Sequence, residues 1–302
     1  MTAPPGTPAG TRTPPTRVSA LRAVPPDESL RVGVDDRFTT PPRRPDRGRR
    51  VRAVAGRVAG PLLVLLLWWV ATALEWVSPL LLPSPGTVLA TGADLVSSGV
   101  LGENLLVSLG RAGTGLVIGV TVGVLLALFT GLSRTGELLV DSNVQMLRAM
   151  PILALQPLVI VWFGIGEPTK ILLVALAVTF PVYINTHAAI RAVDVRFVEL
   201  AQTVDLSRWA LVRRVVLPGA LPGFLTGLRF ATSISWLVLV VAEQINATAG
   251  IGYLMTQART VARTDVIIVG LVVYALLGLV SDVLVRTLER KALGWAPRLQ
   301  AR

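Results

Sequence analysis

Apolar residues gather in six long stretches, over about 58–80, 105–131, 138–163, 169–190, 219–245 and 266–288. Each approaches the roughly 20 residues that a helix needs to cross a bilayer. The pattern predicts six membrane-spanning helices and no large soluble core. The first stretch holds PLLVLLLWWVATALEWV (61–77), apolar on all sides with tryptophans, and predicts a peripheral helix facing lipid. Stretches two to five carry Gly, Ser, Thr, Pro and isolated charges, the residues that let helices pack closely inside a bundle. Glycines at 115, 119, 123 and 131 form a stripe that predicts packing, not chemistry.

One segment between these stretches keeps a helical rhythm but mixes charge with apolar residues: ELAQTVDLSRWALVRRVVLPGALP (199–222). Phe197, Leu200, Ala201 and Val204 share one helical face. Asp205-Leu206-Ser207 then breaks the helix, with Ser207 placed to cap the next one. Trp209, Val212 and Val216 share a face of that second helix. Leu217-Pro218 is expected to end it, because proline disfavours helix at the residue before it. Two short amphipathic helices in a loop form a docking surface for a partner.

Composition supports a membrane protein. Of the 302 residues, 52% are hydrophobic and only 16% charged, against about 25% charged in soluble domains. There is no cysteine, which excludes disulfides and thiol chemistry. A net charge of +11 could suggest nucleic acid, but its distribution argues otherwise. Twelve arginines lie in the first 57 residues, in a Pro/Arg-rich segment too poor in large apolar residues to fold, so a disordered basic tail is expected over 1–57. RRPDRGRRVRAVAGR (43–57) directly precedes the first span and reads as a topology signal, with attraction to anionic lipid as a second reading. The connection 81–104 has no Lys or Arg, whereas the segment after span four has Arg191, Arg196, Arg208, Arg213 and Arg214, and the C-terminal end is also basic. The positive-inside rule therefore sets both termini and this loop in the cytoplasm of a multi-pass cell-membrane protein. Arg259 and Arg263 fall on the other side, against the rule.

The loop resembles the EAA loop of permease subunits of ATP-binding cassette (ABC) importers. That motif reads Glu-Ala-Ala, three residues, Gly, then nine residues to Ile-x-Leu-Pro. Glu199-Leu200-Ala201 matches its start and Val215-Val216-Leu217-Pro218 its end, while Asp205 stands at the glycine position. The similarity extends from about 81 to 295 through LLPSPGTVL (81–89), NLLVSLGRAGTGLVIG (104–119), MPILALQPLVIVWFGIG (150–166), FPVYINT (180–186) and AEQINATAGIGYL (242–254). These resemble the nitrate, sulfonate and taurine type of permease.

The resemblance implies an all-α membrane protein of the type I importer fold, with a peripheral helix at 58–80, a permease core at 105–290, a coupling loop at 191–218 and a C-terminal tail at 291–302. It implies no cofactor and three partners: cytoplasmic ABC ATPase subunits, an extracytoplasmic solute-binding protein, and a second permease chain, most simply a copy of itself. The chain has no G-x-x-x-x-G-K-[ST] phosphate loop, so ATP hydrolysis falls to a separate subunit and no catalytic residue is expected here. Glu199, Leu200, Ala201, Asp205, Trp209, Leu217 and Pro218 become the candidate ATPase-coupling residues. An Asp tolerates left-handed geometry better than most residues, so the turn at 205 is expected to survive.

Charge inside a span is costly and faces a cavity or a partner. Arg148, Gln156 and Glu243 are therefore candidate pathway residues, Arg148 because it precedes the helix-breaking Met150-Pro151. Arg229 and Glu243 are fourteen residues apart, about 21 Å along one helix, and each needs another partner. The one histidine, His187, stands without Cys or a second His, so neither a metal site nor catalysis is expected. FGIGEP (163–168) reads as a loop at the outer end, with docking of the binding protein as a second reading. Two rival readings fare worse. A helix-turn-helix DNA binder needs a third helix and freedom to reach a groove, so nucleic acid is not an expected partner. An ion-gradient-driven secondary transporter is the alternative function, but it leaves the EAA-like loop unexplained.

Overall fold

The computed structural model describes residues 47–245 and 247–294. The expected tails before residue 47 and beyond 294 lie outside them. Every regular element among the described residues is a helix. The chain divides at Leu62/Leu63 into a small N-terminal unit and a main unit. The helix α1 (Arg47–Ala73) begins in the first unit, so residues 47–57 are helical where a disordered tail was expected. Its start is rich in the good helix formers Arg and Ala and has no proline before Pro61. The helix stops well before 80, where Glu75 takes φ 53° and Pro79 follows.

In the main unit, α2 (Pro85–Ser97) starts from Ser84, whose side chain accepts from the Thr87 amide, with Pro85 in the first turn where its missing N–H costs nothing. Then come the long α3 (Val100–Leu132) and the single turn α4 (Arg134–Gly136). A π-helical turn over Glu137–Asp141 leads into α5 (Ser142–Ala149). A 3₁₀ turn over Ile152–Leu155 leads into α6 (Gln156–Phe163). The single span expected over 138–163 is thus a broken one, its halves bent by 91°. The cause is Pro151, which forces Met150 into extended backbone at ψ 134°.

Next, α7 (Glu167–Arg191) is the central helix, followed by α8 (Val195–Thr203) and the short α9 (Arg208–Leu211). The helix α9 was expected to end at Leu217-Pro218, and it does not. A π-helical turn over Val212–Val216 carries the chain directly into α10 (Leu217–Gln244). The Leu217 amide donates to Val212 O, and this wider i→i−5 pattern accommodates the following proline, which has no N–H to place in an α ladder. The chain ends in α11 (Ile251–Thr260) and α12 (Thr264–Ala292).

Four helical stretches are long and apolar enough to cross a membrane: Val100–Leu132, Glu167–Arg191, Arg208–Gln244 and Thr264–Ala292. The bent pair makes five if counted as one span, and the first stretch supplies only the shorter apolar helix Ala59–Ala73. The described residues therefore give four or five spans where the hydropathy pattern predicts six.

The helix α7 packs between α3 and α10. Leu173, Val174, Val178 and Val182 are fully buried on it. The glycine stripe of α3 forms one seam. A Cβ on Gly119 would lie 2.5 Å from Ala175 O, and one on Gly115 would lie 2.6 Å from a Val174 methyl. Thr179 Oγ1 uses the close approach to reach Gly119 O at 3.3 Å. By contrast Leu65, Leu66, Trp69, Leu279 and Leu284 are half or more exposed, the expected state of a lipid-facing surface.

Candidate functional site

The ends of α7 set the geography of the molecule. Its last turn leads into α8 and the loop segment, and its first turn lies at the opposite end, about 37 Å away for 25 residues. Each end carries an organised polar structure.

At the loop end, α8 closes with a Schellman-type cap. The Leu206 amide donates to Ala201 O at 2.9 Å, spanning a left-handed residue. That residue is Asp205, with φ 51°. The motif's glycine position is thus the place where glycine would be least strained. Ser207 then caps α9 as expected, its Oγ accepting from the Ala210 amide at 3.3 Å. Of the apolar face on α8, only Ala201 is buried, at 3% exposure. Phe197, Leu200 and Val204 are exposed, as is Trp209 on α9 at 70%. Glu199 is also exposed, Pro218 is half-buried, and Leu217 is 39% exposed. The apolar face read from the sequence as a docking surface points outward around one buried alanine. A second polar group lies nearby. His187 Nδ1 shares a hydrogen bond with Thr130 Oγ1 at 2.8 Å, and Tyr183 OH donates to Asp141 at 2.7 Å.

At the opposite end, an ion network that is buried except at the half-exposed Glu167 joins α3, α7, α10, α11 and α12. The Arg111 guanidinium forks onto Glu167, Nε to Oε2 at 2.5 Å and Nη2 to Oε1 at 2.6 Å. Its Nη1 donates to Glu243 Oε1 at 2.7 Å and to Ala249 O at 2.6 Å. Glu243 is 1% exposed. Its carboxylate also accepts from Ser108 Oγ, from the Gly252 amide at 2.9 Å and from Tyr274 OH at 3.0 Å. Ser108 Oγ in turn accepts from the Ile251 amide at 3.0 Å, and Asn104 accepts from the Gly250 amide at 2.7 Å. Gly250 has φ 112°, and a Cβ there would meet Glu243 Oε1 at 2.5 Å and Arg111 Nη1 at 2.7 Å. Lys170 completes the network against Glu167 Oε1 at 3.2 Å. Two cations face two carboxylates, so the network is neutral. A buried charge is tolerated only when paired and hydrogen-bonded in this way.

The structure separates the three candidate pathway residues. Glu243 is sealed in the ion network rather than lining an opening. Arg148 is exposed on α5. Gln156 is buried at 5% exposure at the start of α6. Both partners that Glu243 and Arg229 require are now identified: Arg111 for the first, and Asp282 at 2.7 Å for the second. Sequence reasoning did not pair Arg111 with Glu243. The available signal was depth. Arg111 sits early in span two and Glu243 late in span five, so antiparallel helices bring opposite charges to the same end. Among the described residues, no group of His, Asp or Glu is arranged to hold a metal ion.

A bent, glycine-seamed bundle with an outward-facing helical loop at one end is the architecture of a membrane transport subunit. The family model for the inner membrane component of binding-protein-dependent transport systems matches residues 119–294. SsuC of Escherichia coli, named for aliphatic sulfonates transport, is 48% identical over 237 residues, covering 78% of this chain and 90% of its own. SsuC of Bacillus subtilis is 40% identical over 78% of this chain and 85% of its own. The taurine transport system permease TauC of Escherichia coli is 36% identical over 80% of this chain and 90% of its own. In fold, the chain is similar to a crystal structure of an amino acid ABC transporter with histidines, at a TM-score of 0.54 and 20% identity, covering 66% of this chain and 97% of that one. The chain belongs to the family of binding-protein-dependent transport system inner membrane components, as an ABC importer permease of the sulfonate and taurine type. It is a multi-pass membrane protein, and in this family the ATPase and the solute-binding protein are separate partners.

Proposed function

We propose that this permease carries a small organic sulfonate, of the aliphatic sulfonate or taurine kind, into the cell. Its relatives' names support the solute class. In this reading α1 adds the outermost span, the bent α5–α6 pair forms one interrupted span, and both termini and the α8–α9 loop face the cytoplasm, in line with the basic residues there. A second copy of the chain completes the pathway, and lipid covers the remaining apolar faces.

The observation that carries the coupling assignment is the exposed apolar face of the α8–α9 loop. Phe197, Leu200, Val204 and Trp209 stand outward around the left-handed Asp205. A contiguous exposed apolar patch rimmed by charge marks a protein contact, and an amphipathic helix is a common ligand for a groove. The ATPase receives this loop, with Glu199 and Asp205 at its rim and Leu217-Pro218 joining it to α10. Because the π turn makes α9 and α10 one continuous rod, movement of the loop is transmitted along α10 to the Glu243 network at its far end. The ion network is a lock between the elements of that end, and Arg148 stays a candidate for the pathway.

The test is to replace Glu199 and Asp205 together with arginine, then co-purify the permease with its ATPase. Loss of assembly and of solute-stimulated ATP hydrolysis is expected. Unchanged assembly and stimulation defeat the coupling assignment. Uptake that survives ATP depletion but collapses with an ionophore would point to a gradient-driven carrier instead.

A further inference from the structure

The helices α10 and α12 run antiparallel, with Tyr274 on Glu243 at the ion-network end and Asp282 on Arg229 nearer the loop end. Asp282 holds two arginines at once. Its Oδ1 accepts from Arg229 Nε at 2.7 Å, and its Oδ2 lies 2.7 Å from Arg286 Nε. One carboxylate therefore faces two guanidinium groups, and the trio carries one net positive charge. Each arginine has five donors. Among the described residues each spends only its Nε, so both Nη groups of each are left without a partner. The two side chains are 41% and 50% exposed, which leaves those donors open to a ligand.

The surroundings of the trio are those of a membrane boundary. Asp282 stands 18 residues past Thr264, about 27 Å along α12, close to the about 30 Å thickness of a hydrocarbon core. Every exposed residue of α12 from Leu271 to Leu284 is apolar. Leu279, Val283, Arg286 and Arg290 follow one another at helical spacing and are all exposed, so they form one strip of the helix. That strip changes from apolar to basic between Val283 and Arg286. An unbalanced positive charge at the edge of hydrocarbon is costly and calls for an anion.

We infer that Arg229 and Arg286, set in place by Asp282, form a binding site for the phosphate of an anionic phospholipid, with an acyl chain along Leu279 and Val283. A guanidinium presents paired N–H donors in a rigid fork that matches phosphate oxygens. The shared carboxylate orients both forks before the lipid arrives, so little side-chain freedom is lost on binding. Asp282 also keeps the two cations from repelling each other. Arg290, one turn further on, adds attraction for a negative headgroup. A lipid held there bridges α10 and α12 about midway between the α8–α9 loop and the Glu243 network. The leaflet that supplies it is the cytoplasmic one, which rests on the orientation proposed above; the binding itself does not depend on that orientation.

The test uses the full-length permease purified in a neutral detergent, with phosphatidylglycerol as the anionic lipid and phosphatidylcholine as the zwitterionic control. Native mass spectrometry counts the lipid retained. Melting curves with added lipid read its affinity, because a ligand of the folded chain raises its stability. Wild type should retain phosphatidylglycerol in preference to phosphatidylcholine. Arg229→Gln and Arg286→Gln should each weaken phosphatidylglycerol binding by roughly tenfold or more. Arg286→Lys, which keeps the charge and loses the fork, should recover only part of that loss. Arg134→Gln, at an exposed arginine outside the trio, should bind as wild type does. Arg286→Gln leaves the Arg229–Asp282 pair in place and secures the result if Arg229→Gln does not fold. Equal retention of the two lipids, unchanged binding in Arg286→Gln, or an equal loss in Arg134→Gln would overturn the site. If inorganic phosphate or ethanesulfonate stabilises wild type as much as phosphatidylglycerol does, the trio takes a free anion and the lipid assignment is wrong.

Discussion

Arg111 Nη1 lies 2.7 Å from Glu243 Oε1, a buried ion pair between residues 132 positions apart. The two are not equal in what they leave behind. Without Glu243, Arg111 still forks onto Glu167. Without Arg111, Glu243 is a 1% exposed charge with no cation against it. An uncompensated buried charge costs about 3–5 kcal/mol. Arg111→Met should therefore lower the thermal stability of the detergent-purified chain more than Glu243→Gln does. The double substitution Arg111→Met/Glu243→Met should recover part of the loss. Equal costs for the two single variants would argue against Glu167 as the second anchor.

The α3–α7 seam gives a sharper contrast. Gly119→Ala pushes a methyl group against backbone at Ala175 O, which cannot swing aside, and overpacking of this kind costs about 1–3 kcal/mol. Gly113→Ala meets nothing within 4 Å on the same helix and should gain up to about 1 kcal/mol from helix propensity. Melting temperatures of the two variants should move in opposite directions.

Asp205 holds a left-handed conformation that costs a non-glycine residue about 1–2 kcal/mol at most. Asp205→Gly relieves that strain without removing an apolar contact, so ATPase assembly should be retained or improved. Asp205→Val places a branched side chain in the same conformation and should lose coupling while the bundle stays folded. Circular dichroism and ATPase co-purification together separate these outcomes.

Trp209 is 70% exposed, so its truncation should cost the isolated permease little. Large aromatic side chains are frequent anchors of interfaces. Trp209→Ala is expected to leave the melting temperature of the free chain within about 2 °C, yet to reduce ATPase-coupled uptake by tenfold or more. A large fall in stability without loss of uptake would make Trp209 a packing residue.

Much of this was legible in the sequence because it rests on local rules. Apolar length fixed the existence of α3, α7, α10 and α12, the four-residue glycine spacing announced a seam, and Ser207 and Asp205 marked the break between α8 and α9. Each follows from neighbours within one or two helical turns. Tertiary structure decided the rest. It paired Arg111 with Glu243 and Glu167, because only the antiparallel packing of α3 and α10 brings those depths together. It carried α9 through Pro218, because a π turn supplied an alternative bonding pattern that residue-by-residue propensity does not contain. It also turned the apolar face of α8 outward, since hydrophobic periodicity tells which residues share a side but not which surface, or which other chain, that side meets.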